Sequence, residues 1–201
     1  MIILNKQNQA SIKDLLGGCD FFNSYLYLLP VEGALVGGFC FEETKSGVYI
    51  HKYIHPLFNR QYEFNLNFSE SIPYPKGFIN KDNAKNSNVV DQIISIITPD
   101  VDEVKRKSNM NYLNDYIEHN KALLNNEWIH KDYALNLILL DKLDESVYHL
   151  DKILSLNLPI NRKQIIDDCA VVKQTILEGK DPKLLLNDWV REMKDRLCQS
   201  N

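Results

Sequence analysis

The sequence predicts an α+β protein, in which an N-terminal antiparallel sheet of about four strands precedes a series of C-terminal helical hairpins. Up to about residue 80, apolar residues alternate or form short runs separated by Gly and Pro, which is typical of strands and turns. From residue 89 almost to the C-terminus, apolar residues recur every three or four positions, which is typical of amphipathic helices. The connections between the predicted strands are short, which favours an antiparallel meander.

The first part of the chain contains one predicted helix and four predicted strands. Ser11 and Asp14 fit a capping box, and Gly17-Gly18 supply a stop, so that a short helix opens the chain. Four segments rich in aromatic and β-branched residues follow. The predicted strands are 25–30, 34–42, 48–55 and 61–68.

A polar stretch that is rich in Gly and Pro separates the two parts of the chain. Residues 69–88 contain Pro73, Pro75 and Gly77, followed by a tract of Asn, Lys, Asp and Ser. We therefore predict a β-rich domain at 1–80, a polar linker or loop at 81–88, and an all-helical domain at 89–201.

The second part of the chain contains several predicted helices with short loops, so that sequence neighbours pack antiparallel. Residues 89–97 form the first helix, and Thr98-Pro99-Asp100 supply a capping hydroxyl, Pro at the first helical position and an acidic first turn for the next. The later helices are predicted near 121–128, 131–141, 144–155, 162–178 and 182–198.

Residues 133–159 resemble one tetratricopeptide-type unit. The residues that carry this resemblance are Tyr133, Ala134, Leu137, Leu140, Leu143, Asp144, Glu145, Ser146, Leu150, Ile153, Leu154 and Pro159. Ser146 occupies a position where the family prefers Ala, and Leu140 lies at or near a position usually held by Gly. One unit cannot bury its own apolar face. The resemblance implies a repeat-like helical stack, and an irregular helical bundle is the alternative.

A second resemblance extends over most of the chain. The segments 27–32 (YLLPVE), 38–42 (GFCFE) and 55–58 (HPLF), with Trp189 in the last helix, are similar to a group of uncharacterised bacterial proteins. In that group a short sheet precedes helical hairpins. The resemblance implies the same fold here and carries no activity.

Charge and composition exclude several classes of protein. The formal net charge is −4, and residues 1–80 and 81–201 carry −1 and −3. Neither part offers the basic field that a phosphate backbone requires, so nucleic-acid binding is disfavoured. The N-terminus lacks the pattern of a secretory signal, and the apolar runs are too short to span a membrane. The four cysteines are scattered, and we predict a cytoplasmic protein with reduced thiols.

The strand at 48–55 carries the candidate binding surface. Tyr49, His51, Tyr53 and His55 share one side of the strand, opposite to Val48, Ile50 and Ile54, and Glu63 of the following segment is added to them. Aromatic rings with polar tips are enriched at protein interfaces. The alternative is that this side faces inward, with the rings packed under helices.

The remaining polar residues match no known catalytic, cofactor or metal pattern. His51 and His55 would lie roughly 13 Å apart on a straight strand, too far to share one metal ion. His119, His130 and His149 are expected to be solvated or hydrogen-bonded helix positions. The nucleotide-binding glycine loops, the zinc-protease motif and the hydrolase nucleophile elbow are absent from the sequence. We therefore predict no cofactor and no metal.

Three hypotheses about function remain. The first is a non-enzymatic protein-binding module, one form of which is a bacterial immunity or antitoxin-like protein that masks a basic effector surface. The second is an enzyme whose site lies between sheet and helices and uses His51, Tyr53, His55 or Glu63. The third is a structural subunit of a homo-oligomer.

Overall fold

The computed structural model of the protein describes residues 4–60, 64, 66–84 and 88–199. An N-terminal antiparallel sheet precedes a series of helices, which confirms the predicted α+β class. The chain divides into two units. The sheet unit comprises Met1–His55, Tyr62–Ser108 and Leu197–Asn201, and the helical unit comprises Pro56–Gln61 and Asn109–Arg196. Residues 89–107, which the sequence analysis assigns to the helical domain, thus belong to the sheet unit.

Six strands of the described residues form the sheet. They are β1 (Cys19–Phe22), β2 (Tyr25–Leu28), β3 (Leu35–Glu43), β4 (Gly47–Pro56), β5 (Phe68–Ser71) and β6 (Phe78–Asn80). The predicted strands at 25–30, 34–42 and 48–55 correspond to β2, β3 and β4. The predicted strand at 61–68 is not observed as such: residues 61–63 and 65 lie outside the described part, and β5 begins only at Phe68. Strands β1 and β6, which are only four and three residues long, were not predicted.

The strands form a meander in the order β1-β2-β3-β4-β5, and β6 also pairs with β4. Strands β5 and β6 can both pair with one edge of β4 because they pair with different parts of it. Tyr49 of β4 lies opposite Phe78 of β6, and His51 lies opposite Ser71 of β5. Since opposite residues of an antiparallel pair point to the same face, Tyr49, His51, Ser71 and Phe78 share one face of the sheet.

The other face of the sheet carries the core of the sheet unit. Four helices belong to this unit: α1 (Lys6–Leu16), α2 (Lys81–Ala84), α3 (Val89–Ile97) and α4 (Val101–Lys107). Val48 and Ile50 of β4 are buried in one apolar cluster with Ile12 of α1, Ile93 of α3 and Val104 of α4. The alternation in the first half of β4 therefore has its physical basis in this cluster, which includes Val48 and Ile50 and leaves Tyr49 on the opposite face.

The start of α1 differs from the prediction. Asn5 caps the helix, and its side chain accepts a hydrogen bond from the Asn8 backbone N–H at 2.9 Å. Ser11 therefore lies inside the helix, and the capping box that it predicted is wrong. The predicted stop is confirmed, because Gly17 follows the helix with φ of 62°, a conformation that glycine adopts without a steric penalty.

Helix α3 has the predicted bounds, and the restart after it is more gradual than predicted. Thr98–Asp100 form a 3₁₀ turn between α3 and α4. The Thr98 hydroxyl donates backward to the Ile94 carbonyl at 2.7 Å, so it does not cap the next helix. Helix α4 then ends before Ser108.

The helical unit contains α5 (Met110–His119), α6 (Glu127–Leu139), α7 (Leu143–Leu154), α8 (Lys163–Leu177) and most of α9 (Pro182–Gln199). The α-helix predicted near 121–128 is instead a 3₁₀ turn at Lys121–Asn125. Helix α6 starts earlier than predicted because Asn126 caps it, accepting hydrogen bonds from the backbone N–H groups of Trp128 and Ile129.

Helices α6 and α7 form the hairpin that resembles a tetratricopeptide unit. Every residue of α6 from Ile129 to Ile138 is buried. Ser146 of α7 is also fully buried, and its hydroxyl donates to the Ala134 carbonyl at 2.8 Å. The serine that departs from the family pattern is thus accommodated by a hydrogen bond across the hairpin. Because α6 is covered on all sides, its charged residues are buried with its apolar ones.

Within the described part of the chain, no helix combines the length and the apolar character needed to cross a bilayer.

Candidate functional site

The candidate binding residues of β4 differ in their exposure along the strand. The Tyr49 side chain is exposed and His51 is partly buried, whereas Tyr53 and His55 are almost completely inaccessible, at 1% and 0%. Glu63 lies outside the described residues. The face that these residues share is therefore open at one end of β4 and packed at the other.

Aromatic packing accounts for the buried end. The Tyr53 ring meets the Tyr25 ring edge-on at 5.4 Å between centroids, and Phe64 lies 5.6 Å from Tyr53 and 4.6 Å from the His55 ring. The Tyr53 hydroxyl donates to the Leu26 carbonyl at 3.3 Å. Burial raises the pKa of Tyr53 well above its ordinary value, so the phenol stays protonated. Tyr53 and His55 contribute to packing at this end of the face.

Three aromatic side chains form the open end. The Tyr49 and Phe78 rings are 4.7 Å apart between centroids, and Phe78 and Tyr74 are 5.9 Å apart. Tyr49 is 39% exposed and Tyr74 is 75% exposed. We call Tyr49, Tyr74 and Phe78 the aromatic surface. Of these three, only Tyr49 was predicted from the sequence, because the pairing of β6 with β4 brings Phe78 beside Tyr49, and Tyr74 in turn packs on Phe78.

His51 borders the aromatic surface and is held by two polar neighbours. Its Nε2 lies 3.0 Å from the Glu42 carboxylate, and its Nδ1 lies 2.9 Å from the Ser71 hydroxyl. A carboxylate only accepts hydrogen bonds, so Nε2 carries a proton. These contacts orient the imidazole and place a polar group, with the exposed Glu42 side chain, at the rim of the aromatic rings.

The helical unit contains a buried ionic cluster that the sequence analysis did not predict. Lys131 of α6 is fully buried, and its ammonium donates to Asp168 of α8 at 3.0 Å and to the Asn59 side-chain carbonyl at 3.1 Å. The Asn59 amide nitrogen in turn donates to Asp132 at 3.0 Å. Asn59 therefore bridges the lysine to a second buried carboxylate.

Two further side chains complete this cluster around Asp168. Gln164 donates to Asp168 at 2.7 Å, and the Arg60 guanidinium lies 3.8 Å from the same carboxylate and over the Trp189 ring. We call Asn59, Arg60, Lys131, Asp132, Gln164 and Asp168 the ionic cluster. Its two cations and two carboxylates balance, and Lys131, Asp132 and Asp168 are at most 1% exposed. These three charged side chains are inaccessible to a substrate, whereas the Arg60 side chain is 44% exposed.

A pair of histidines meets in the hairpin of α6 and α7. His130 Nε2 lies 2.8 Å from His149 Nδ1, and the rings are in edge-to-face contact. Burial, with a smaller contribution from His149, lowers the pKa of His130 to about 4, and burial also lowers the pKa of His149. His130 and His149 are thus hydrogen-bonded helix positions, as expected, and the hairpin makes them each other's partner although they are 19 apart in sequence.

The cysteines offer little nucleophilic chemistry. Cys19, Cys40 and Cys169 are free and buried, and Cys198 is free and exposed. Burial raises the pKa of Cys19 and Cys40 to about 11 and that of Cys169 to about 12. Because the thiolate is the nucleophile, these three protonated thiols are poorly reactive at neutral pH.

The sheet unit also contains a small cavity. It has a volume of about 230 Å³ and is lined by residues of the segment 28–37 together with Lys105 and Ser108 near the end of α4. Small-molecule sites usually enclose roughly 300–1,000 Å³. Among the described residues, no three His, Cys, Asp or Glu side chains are arranged to hold a metal ion.

No protein-family model matches the chain, and comparisons with curated proteins and with solved structures find no similar protein.

Proposed function

We propose that the protein is a non-enzymatic protein-binding module that contacts its partner through the aromatic surface. The observation that supports the proposal is the accessible row of rings formed by Tyr49, Phe78 and Tyr74. Tyrosine is enriched among the residues that dominate binding energy, because it combines a large apolar area with a polar tip and few rotatable bonds. A polar rim, here His51 and Glu42, is the usual border of such a contact.

The partner that we propose is a protein with a basic surface. The Glu42 side chain, at the rim of the aromatic surface, is 59% exposed, and the whole chain carries a net charge of −4. Opposite charges across an interface accelerate association and favour the correct partner. A bacterial immunity or antitoxin-like protein, which acts in the cytoplasm by masking a basic effector, is the specific form of this proposal.

The enzyme hypothesis has less support from the described residues. Two of its proposed catalytic groups, Tyr53 and His55, are inaccessible to a substrate, and Lys131 and Asp168 are buried in the ionic cluster. The accessible His51 already contacts Glu42 and Ser71 on a sheet face. These groups do not converge on a common point of attack.

Affinity purification from the native host followed by binding measurements tests the proposal. The partner is identified, purified separately and titrated against the wild type and the Tyr49→Ser/Tyr74→Ser variant. We expect this variant to weaken binding by at least about tenfold, since loss of one hot-spot residue costs about 2 kcal/mol or more. Tyr148→Ser is the matched control, because Tyr148 is 57% exposed and lies in the helical unit.

Two results would contradict the proposal. The first is equal loss of affinity in the control and in the Tyr49→Ser/Tyr74→Ser variant, which would place the contact elsewhere. The second is a concentration-dependent dimer in light scattering that the Tyr49→Ser/Tyr74→Ser variant abolishes. That result would assign the aromatic surface to a homo-oligomer.

A further inference from the structure

The contact between His130 and His149 has a property that ordinary packing lacks, which is its dependence on the protonation of the two rings. At 2.8 Å, one ring nitrogen must donate the hydrogen and the other must accept it. This is satisfied when both imidazoles are neutral, and also when one of them is protonated and donates to the neutral one. When both rings are protonated, two N–H groups face each other and the hydrogen bond is lost.

Because of where the two histidines lie, loss of their hydrogen bond would affect the hairpin of α6 and α7. His130 lies in α6 and is 8% exposed, and His149 lies in α7 and also contacts the Tyr133 and Tyr148 rings edge-on. The hydrogen bond therefore joins the two helices of the hairpin directly. A positive charge on either ring would be placed in a confined, partly desolvated position between them.

The charged groups around the pair come from three elements. Lys152 of α7 disfavours protonation of both histidines, and Lys121 of the 3₁₀ turn adds to this effect on His149. Glu118 of α5 and Glu145 of α7 act in the opposite direction on His149. Glu118 also accepts a hydrogen bond from the Tyr133 hydroxyl, and it interacts with Lys121 at 3.4 Å.

We propose that the pair of His130 and His149 is an acid-sensitive switch that joins α6 and α7 at neutral pH and releases them at acidic pH. The sign follows from linkage. A histidine whose pKa is lower in the folded state stabilises that state fully above pH 6.5, and this contribution is lost as the pH falls toward about 4. The proposal is independent of the aromatic surface, which belongs to the sheet unit.

Hydrogen exchange of the full chain at pH 7 and pH 5 tests the switch, after correction for the intrinsic pH dependence of exchange. In the wild type we expect amide protection in α6 and α7 to fall roughly 20-fold. This value follows because an opened His130 with a pKa near 6.5 gains a proton over this range, whereas the folded residue, with a pKa of about 4, does not.

Two variants separate the switch from general acid sensitivity. In His130→Gln/His149→Asn the amide groups replace the two nitrogens that form the hydrogen bond and cannot be protonated, so we expect less than about a twofold change in protection. His119→Asn is the control, because His119 is exposed and should leave the 20-fold change intact. An equal loss of amide protection between pH 7 and pH 5 in the wild type and in the double variant would overturn the proposal.

A second measurement applies even if the double variant does not fold. The Cε1 protons of the wild-type histidines can be followed by NMR during acid titration. A pKa well below 6.5 for His130, together with a lowered pKa for His149, supports the switch. A pKa at or above 6.5 for His130 refutes it.

Discussion

Replacing Lys131 by Met tests whether the ionic cluster orders the helical unit. Lys131→Met keeps a long side chain of similar volume and removes the ammonium. Asp168, at 1% exposure, then loses its contact at 3.0 Å, and the Asn59 side-chain carbonyl loses its donor at 3.1 Å. The variant therefore leaves a buried carboxylate with less compensation and changes the apolar packing little.

The expected loss of stability follows from what remains around Asp168. Removing one member of a buried ion pair usually costs about 3–5 kcal/mol. Gln164 still donates to this carboxylate at 2.7 Å, and Arg60 lies 3.8 Å away. Because these contacts remain, we expect the loss in the free energy of unfolding to lie near the lower end of that range, at about 3 kcal/mol. For a chain of this size, that loss lowers the melting temperature by roughly 6–12 °C.

Urea denaturation followed by circular dichroism and tryptophan fluorescence measures this loss. Fluorescence is informative because the Lys131 ammonium lies 5.1 Å from the centre of the Trp128 ring. Lys163→Met is the control. Lys163 is 70% exposed and pairs with Asp167, so we expect this variant to lose less than about 1 kcal/mol of stability. The combined variant Lys131→Met/Asp168→Leu should recover stability relative to Lys131→Met alone, because the buried Asp168 carboxylate that loses its ammonium partner is removed as well.

A small loss in Lys131→Met, similar to that of the control, would refute this reasoning. The same holds if the additional Asp168→Leu change lowers stability further. Either result would mean that Asp168 is not a buried charge that depends on Lys131.

Two further predictions concern close contacts. Gly38→Ala should destabilise the sheet by roughly 3 kcal/mol or more, because a Cβ there would lie 1.8 Å from the Leu26 carbonyl oxygen. Gly33→Ala is the control: a Cβ there would lie 4.0 Å from its nearest atom, so we expect little change in the melting temperature. Ser146→Ala should cost only about 1 kcal/mol in urea denaturation, since it removes one hydroxyl donor and leaves the Ala134 carbonyl in its helix; a loss above about 3 kcal/mol would contradict this account.

The longer elements could be predicted from the sequence because their patterns have a local cause. Val48 and Ile50 of β4, two positions apart, both enter the buried cluster and show the period of a strand directly. Helix α3 has apolar positions at helical spacing and an Asn88 cap, and its bounds agree with the prediction. In contrast, β1 and β6 are too short to display a period, and they form strands because β2 and β4 offer them hydrogen-bonding edges.

The predicted strand at 61–68 shows how an alternating pattern can mislead. Phe64 and Phe68 share the expected parity, and both are buried. Phe64, however, is not in a strand, and its ring packs on Tyr53 and His55. These ring contacts therefore explain the burial of Phe64, and the alternation of apolar residues in the segment does not predict them.

The candidate site could be predicted only in part. The alternation of β4 places Tyr49 and Tyr53 on one face, but it does not say which of them is covered. That depends on Phe64, which packs on Tyr53, and on the β6 pairing, which leaves Phe78 and Tyr74 beside Tyr49. One signal for the ionic cluster was available, namely that α6 is apolar on most sides, so that a lysine within it must be buried.

The sequence by itself determined the class of fold, the division between strands and helices, and the positions of the longer elements, since these follow from the spacing of apolar residues along the chain. The tertiary structure decided which side chains meet. The Lys131 ammonium contacts Asp168 across 37 positions, and His130 contacts His149 across 19. The pattern of neighbouring residues does not predict contacts across such separations, because it is the packing of whole helices that brings these residues together.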